Sequence, residues 1–168
     1  QRRWERDNFS RLAKMIVDEW NDALVLITGS RAEKAEAQAM QEKVGHPRFR
    51  SFAGMHKLMA ITALYNVSTV LVTNDSGPGH FSAITPIRSI VLFGPETPRL
   101  YGSLGNTEAI WAALSCSPCV TAANQKNSAC NDNVCMQLIT PERVLASVRK
   151  VMNGAEKPRE LMTITGVH

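Results

Sequence analysis

Three short runs in this chain are built on consecutive apolar residues: ALVLITG (23–29), STVLVTN (68–74) and RSIVLFG (88–94). A strand with one face in water alternates apolar and polar residues; a strand covered on both faces does not. These runs therefore demand helices above and below the sheet they build. The segments between them supply such helices. Over residues 6–21, Phe9, Leu12, Ala13, Ile16, Val17 and Trp20 recur at helical spacing and form one buried stripe. SRAEKAEAQAMQEKVG (30–45) predicts a helix with Ser30 as cap, Glu33 as capping-box partner and Gly45 as terminator. MHKLMAITALYN (55–66) and ITPERVLASVRKVMNG (139–154) are further amphipathic stretches, the second with Thr140 as cap and Pro141 at the first helical position. HPRFRSFAG (46–54) reads as a loop and a short strand. Buried strands alternating with helices, joined by right-handed crossovers, predict an α/β fold with a Rossmann-like, doubly wound parallel sheet.

With 168 residues the chain is expected to form a single domain, residues 1–168, large enough to bury a substantial core. It has no apolar run near the ~20 residues needed to span a bilayer and no signal-peptide pattern. It starts with Gln rather than Met, as expected of a piece of a longer protein. The net charge of +4 is spread along the chain, apart from Arg2, Arg3 and Arg6 at the start and a loose basic group between Arg143 and Arg159. That balance suits a solvated surface, an anionic substrate or an anionic lipid face. Aromatics make up only 6%, and no dense basic and aromatic interleaving is present, which argues against a nucleic-acid reader.

In a doubly wound sheet, ligands gather beyond the carboxyl ends of the strands. The candidate chemistry begins there, after the second apolar run: TNDSGPGHFSA (73–83) leaves a buried strand and enters a helix. Ser76 and Gly77 offer backbone N–H groups, Gly77 and Gly79 permit close approach, and Pro78 fits a first helical turn. An acid beside a phosphate would repel it, so Asp75 suits sugar hydroxyls or the support of the turn. The same residues could simply cap a helix, with His80 packed quietly. Neither the G-x-G-x-x-G fingerprint nor a P-loop occurs.

The linked run VTNDSGPGHFSAI…IRSIVLFGPETP, with RRWERDNFSRLAKMI and LVLITGSRAEKAEA upstream and CSPC…C…CMQLITPERV downstream, resembles glycosyltransferase family 9, the heptosyltransferase-type enzymes. The resemblance covers roughly the whole chain. It implies the C-terminal, donor-binding half of a GT-B glycosyltransferase, with the N-terminal acceptor domain outside this chain. It implies inverting, metal-independent transfer of a sugar, heptose from ADP-heptose, to a lipopolysaccharide core or related glycan. Asp75 would meet the donor sugar, Ser76 and Gly77 with Pro78 would hold the diphosphate, and Glu33 would meet the ribose. Arg2 would neutralise phosphate charge, standing where the family often has Lys, and His80 would support the turn. Glu96 in GPETP (94–98) replaces a usual small residue. The catalytic base is expected in the absent domain, so no catalytic residue is assigned here. Expected partners are the nucleotide-sugar donor and a glycolipid acceptor. The expected location is cytoplasmic, with peripheral contact at the inner membrane.

Four cysteines, Cys116, Cys119, Cys130 and Cys135, are spaced C-x2-C-x10-C-x4-C. The spacing fits a structural Zn2+ site, and it equally fits reduced thiols or a disulfide pair. No cofactor is expected to be required for catalysis. Two other readings of the chain remain at this point: a family 9-like transferase with a different donor and acceptor, and a non-catalytic nucleotide-sugar-binding module.

Overall fold

The computed structural model describes residues 3–54, 58–101, 105–121, 123–124, 128–154 and 161–165. Along the chain run α1 (Arg6–Glu19), β1 (Leu24–Thr28), a 3-10 turn (Arg31–Glu33), α2 (Lys34–Val44), β2 (Phe49–Ser51), α3 (Leu58–Val67) and β3 (Ser68–Asn74). They are followed by α4 (Gly77–Ser82), β4 (Arg88–Phe93), α5 (Pro98–Tyr101), β5 (Thr107–Trp111), α6 (Val134–Gln137), α7 (Pro141–Gly154) and β6 (Leu161–Thr165). The strands form one sheet in the order β2-β1-β6-β3-β4-β5, and every pairing is parallel. The predicted fold class is therefore the observed one.

Both faces of the sheet are covered, as the apolar strands require. Val25, Ile27, Val70, Val72, Ile90 and Leu92 face one large core shared with α1, α2 and α7. Leu71 points the other way, into a smaller cluster with Ile61, Tyr65 and Ile87. Successive side chains of a strand alternate between faces, so a strand buried on both sides carries apolar residues on both; β3 is buried at all seven positions, with Val70, Leu71 and Val72 at its centre.

Several boundaries move from the sequence reading. The helix expected over 30–45 opens as the 3-10 turn, with the Ser30–Glu33 capping box formed as expected. Gly45 closes it at φ 62°, a left-handed conformation that glycine adopts without penalty. α7 begins at Pro141, and Thr140 Oγ1 accepts the Arg143 N–H. β5 and β6 were not expected. TEAIW is only intermittently buried at the sheet edge, so its pattern is weak. LMTIT follows the end of α7 and enters the middle of the sheet, between β1 and β3.

Long-range side-chain contacts fix the helices to the sheet. Trp4 is 1% exposed; its backbone N–H donates to Asn74 Oδ1 (2.9 Å) and its Nε1–H to the Ile139 carbonyl (2.6 Å). The Trp4 and Phe9 rings meet edge-on, with centroids 4.7 Å apart. Arg48 donates to the carbonyls of Val17, Trp20 and Ala23, filling the unsatisfied end of α1 that a C-cap would otherwise have to serve. Arg149 forks onto Glu19, with Nε and Nη2 each 2.7 Å from a carboxylate oxygen, tying α7 to α1.

Two predictions follow from these anchors. Trp4→Ala removes a fully buried aromatic and should lower stability by about 3–5 kcal/mol, measured by urea unfolding. The hydrogen-bonded Arg149 fork holds the Glu19 carboxyl below its ordinary value near 4.5. A depressed folded-state pKa adds stability above the unfolded value and loses it as pH falls through the folded one. Wild type should therefore melt higher than Glu19→Gln at neutral pH, and the two melting curves should converge once the pH is well below 4.5.

Candidate functional site

In a parallel sheet every strand delivers its carboxyl end to the same edge, so the loops that follow β1, β3 and β4 share one rim. The order of the sheet locates the important point on that rim. From β1 the chain continues to β2 on one side; from β3 it continues to β4 and β5 on the other. The reversal falls between β1 and β3, which is where open α/β sheets form a crevice. With β6 between them, the ends of β1 and β3 lie two strand spacings apart, about 9–10 Å.

Past β3, Asp75 is buried at 7% exposure, and its N–H donates to the Leu92 carbonyl at 3.1 Å, which locks the turn onto β4. Ser76 Oγ donates to the Asn74 carbonyl (3.2 Å) and stands 3.5 Å from Thr73 Oγ1, so its side chain folds back instead of capping α4. Pro78 and Gly79 are buried, while Gly77 and His80 are exposed. His80, expected to support the turn, is exposed on α4. A Cβ added at Gly77 would meet only the Phe81 ring, at 3.7 Å, so neither backbone strain nor crowding within the chain calls for glycine there.

Past β1, the Glu33 carboxylate accepts from the Ser30 N–H (2.7 Å) and hydroxyl (2.6 Å), a capping box that fixes its position on the rim. Past β4, Glu96 and Thr97 of the GPETP loop are buried at 2% and 5% exposure. Gly94 is required by packing: an added Cβ would fall 2.5 Å from Met136 Sδ and 2.7 Å from its Cγ. Arg2 lies outside the described residues. Trp4, two positions on, is bonded to Asn74 beside Asp75, so the start of the described chain reaches the same rim.

The structure thus brings Glu33, Asp75, Ser76, Gly77 and the GPETP loop to one edge. Sequence reading missed Asn74, whose buried amide receives the Trp4 N–H; a polar residue ending an otherwise apolar strand was its signal. Two surface hollows, of about 330 and 390 Å3, lie elsewhere, between α1 and α2 on the flank of the molecule. Among the described residues no three His, Cys, Asp or Glu side chains are grouped to hold a metal ion as they stand, and the four cysteines are free thiols. Backbone N–H groups of Asp132 and Asn133 hold the Cys130 thiol below its ordinary value. Burial, reinforced by the other three cysteines, pushes the Cys135 thiol up.

An all-parallel, doubly wound sheet with its polar loops gathered at a switch point is the architecture of an open α/β domain whose ligand crevice lies at the carboxyl ends of the strands. The model of glycosyltransferase family 9 (heptosyltransferase) matches residues 1–129, and the chain belongs to that family. It is 23% identical over 158 residues to lipooligosaccharide heptosyltransferase 2 of Campylobacter jejuni, covering 92% of this chain and 48% of that protein. The structure of E. coli ADP-heptose lps heptosyltransferase II superposes with a TM-score of 0.76 at 22% identity, covering 93% of this chain and 44% of that one. E. coli heptosyltransferase WaaC with ADP gives a TM-score of 0.64 at 18% identity, covering 89% and 40%. The fold is that of one half of these GT-B enzymes, and the chain spans about half the length of the curated relatives it matches.

The two glycines of the rim should respond oppositely to the same change. Gly94→Ala should cost about 1–3 kcal/mol through overpacking against Met136, whereas Gly77→Ala should stay within about 0.5 kcal/mol of wild type. Paired denaturant melts of the two variants test the contrast.

Proposed function

We propose that this chain is the donor-binding half of an inverting, metal-independent glycosyltransferase that takes heptose from ADP-heptose for a lipopolysaccharide core or related glycan. The observation that carries the reading is the pairing of family membership with the placement of Glu33 and of Asp75–Gly77 on opposite sides of the switch point. The solved relatives include an ADP-heptose lps heptosyltransferase and a heptosyltransferase with ADP, which supports the choice of nucleotide.

On this reading the nucleoside lies toward β1, with its ribose hydroxyls on Glu33. The sugar lies toward Asp75, whose carboxylate accepts from hydroxyl groups. The diphosphate passes between them, against the backbone of Ser76 and Gly77. An inverting transfer needs a base on the acceptor and stabilisation of the departing diphosphate. Backbone N–H groups and Arg2 are assigned to the second task. The base and the glycolipid acceptor belong to a preceding acceptor domain. The whole enzyme would work on the cytoplasmic side, touching the inner membrane peripherally. No helix among the described residues is long and apolar enough to cross a membrane, so such contact would be at the surface.

The exposed, uncrowded Gly77 gives the sharpest test. Calorimetric titration of the chain with ADP-heptose, ADP, UDP-sugars and GDP-sugars should give binding to the adenine compounds alone. Asp75→Asn should weaken ADP-heptose by about tenfold, equivalent to about 1.4 kcal/mol, and ADP far less, because it loses only a sugar contact. Gly77→Ala should weaken both ligands while leaving the melting temperature unchanged. Absence of binding by any nucleotide to the folded chain, or equal loss of ADP and ADP-heptose in Asp75→Asn, would count against the assignment.

A further inference from the structure

The turn that leaves β3 spends most of its polar side chains on itself. Thr73 Oγ1 and Ser76 Oγ both donate to the Asn74 carbonyl, at 3.1 and 3.2 Å. The Asp75 N–H is committed to the Leu92 carbonyl, and a carboxylate is an acceptor. Gly77 has no side chain, and Pro78 has no N–H. α4 is six residues long, so its aligned peptide dipoles sum to little. A diphosphate lying against this turn would therefore find few donors in residues 75–78 beyond the backbone N–H groups of Ser76 and Gly77.

Asn74 is different. It is the last residue of β3, its side chain is buried, and by alternation it shares the face of Val70 and Val72. The Trp4 N–H, 2.9 Å away, requires an acceptor, so Oδ1 is the end of the amide turned to Trp4 and the orientation of the group is set by its network. Nδ2 is the other end. It is buried and has no hydrogen-bond partner among the described residues. Buried amides are nearly always paired, because an N–H donor kept from water without an acceptor is costly. Here the unpaired donors stand at the carboxyl edge of the sheet, one residue before Asp75, where open α/β sheets receive their ligands. The backbone on either side is held by the Trp4 bond and by the Asp75 N–H to Leu92, so the donor is in place before a ligand arrives.

We infer that Asn74 is a further donor-binding residue, whose side-chain amide donates through Nδ2 to a diphosphate oxygen at the switch point. The choice of anion rests on the donor-binding reading above; the unpaired amide is an observation of its own. The chemistry suits the position. Asp75 repels phosphate, and a lysine or arginine at position 74 would pair with that carboxylate and compete with sugar hydroxyls for it. A neutral amide donates to phosphate and leaves the carboxylate to the sugar. Asn74 touches no reacting bond: it holds the diphosphate, and no proton or electron passes through it. The same side chain would then join the entry to α1, through Trp4, to the anionic centre of the ligand.

The test uses inorganic pyrophosphate, ADP and adenosine as probes of the chain. Asn74→Asp keeps the shape of the side chain and an acceptor for the Trp4 N–H, but removes both donors. In calorimetric titration it should bind pyrophosphate and ADP about tenfold or more weakly than wild type, and adenosine within about twofold. The new carboxylate would itself repel phosphate, so the decisive reading is made on the wild type. In the 15N-labelled chain the Asn74 side-chain NH2 pair, identified by its loss in Asn74→Asp, should shift as pyrophosphate or ADP binds. Binding that leaves this NH2 pair unmoved would overturn the inference, as would equal affinity for ADP in wild type and Asn74→Asp. Either result would leave the donor reading on its backbone contacts. A wild-type chain that binds pyrophosphate with the NH2 shift, but no adenine nucleotide, would keep the Asn74 site and remove the donor reading. A folded wild-type chain that binds neither would overturn both.

Discussion

Much of this molecule hangs on the last residue of β3. Asn74 ends a strand buried at every position, and its own side chain is 2% exposed. Its Oδ1 accepts the Trp4 N–H from 70 positions away in sequence, so the entry to α1 is fixed at the carboxyl edge of the sheet. The next residue, Asp75, turns its N–H back onto β4. A buried polar group is costly unless bonded, which makes such a contact selective for one arrangement of the chain. Had the strand ended in another apolar residue, Trp4 would have lost the partner that orients it, and the rim beside Asp75 would be less defined.

Among the described residues the two faces of the sheet are covered differently, and this bears on how the site is held. α1, α2 and α7 share a continuous core with the strands, reinforced across the helices by Trp4, Arg48 and the Arg149 fork. Among the described residues the opposite face carries a cluster of Ile61, Tyr65, Leu71 and Ile87 with Phe81 packed beside it. α4 belongs to that side. It is short, six residues, and its carbonyl and hydroxyl contacts are local: Ser82 Oγ to the Gly79 carbonyl, and Ser89 Oγ to Ser82 Oγ. The turn at Asp75 is therefore held from the strand side, through β3 and β4, more than from the helix it opens.

The fold was legible because burial leaves a strong trace in sequence. STVLVTN, with its apolar centre, matches its strand at both ends, and the Ser30–Glu33 box formed as the spacing implied. β5 and β6 were not legible for a physical reason. An edge strand needs burial on part of its surface only, and TEAIW has one fully buried residue. A strand that joins the centre of a sheet after a long excursion is recruited by tertiary contact, which local pattern does not encode. The site was legible in its residue types and their position after the strands, since the carboxyl edge is set by fold class. What Glu33 and Asp75 have in common, the flanks of one switch point, required the strand order. The exposure of His80 also came only from the structure, because six residues of helix carry too little pattern to tell an inner face from an outer one.

The charge on the rim explains why the proposed division of labour runs as it does. Three carboxyl-bearing residues, Glu33, Asp75 and Glu96, stand at or beside the edge, on a chain whose net charge is nevertheless +4. A diphosphate placed against any of them would meet repulsion in a partly desolvated setting, where charges are screened poorly. Neutral hydroxyls gain from the same carboxylates, as strong, charge-assisted hydrogen bonds. A ligand with hydroxyl-rich ends and an anionic middle fits this rim in one sense only. On the proposed reading its ends lie on the acids that flank the switch point, and its phosphates lie between, on backbone N–H groups. Nucleotide sugars have that distribution of charge, with ribose and hexose or heptose flanking a diphosphate.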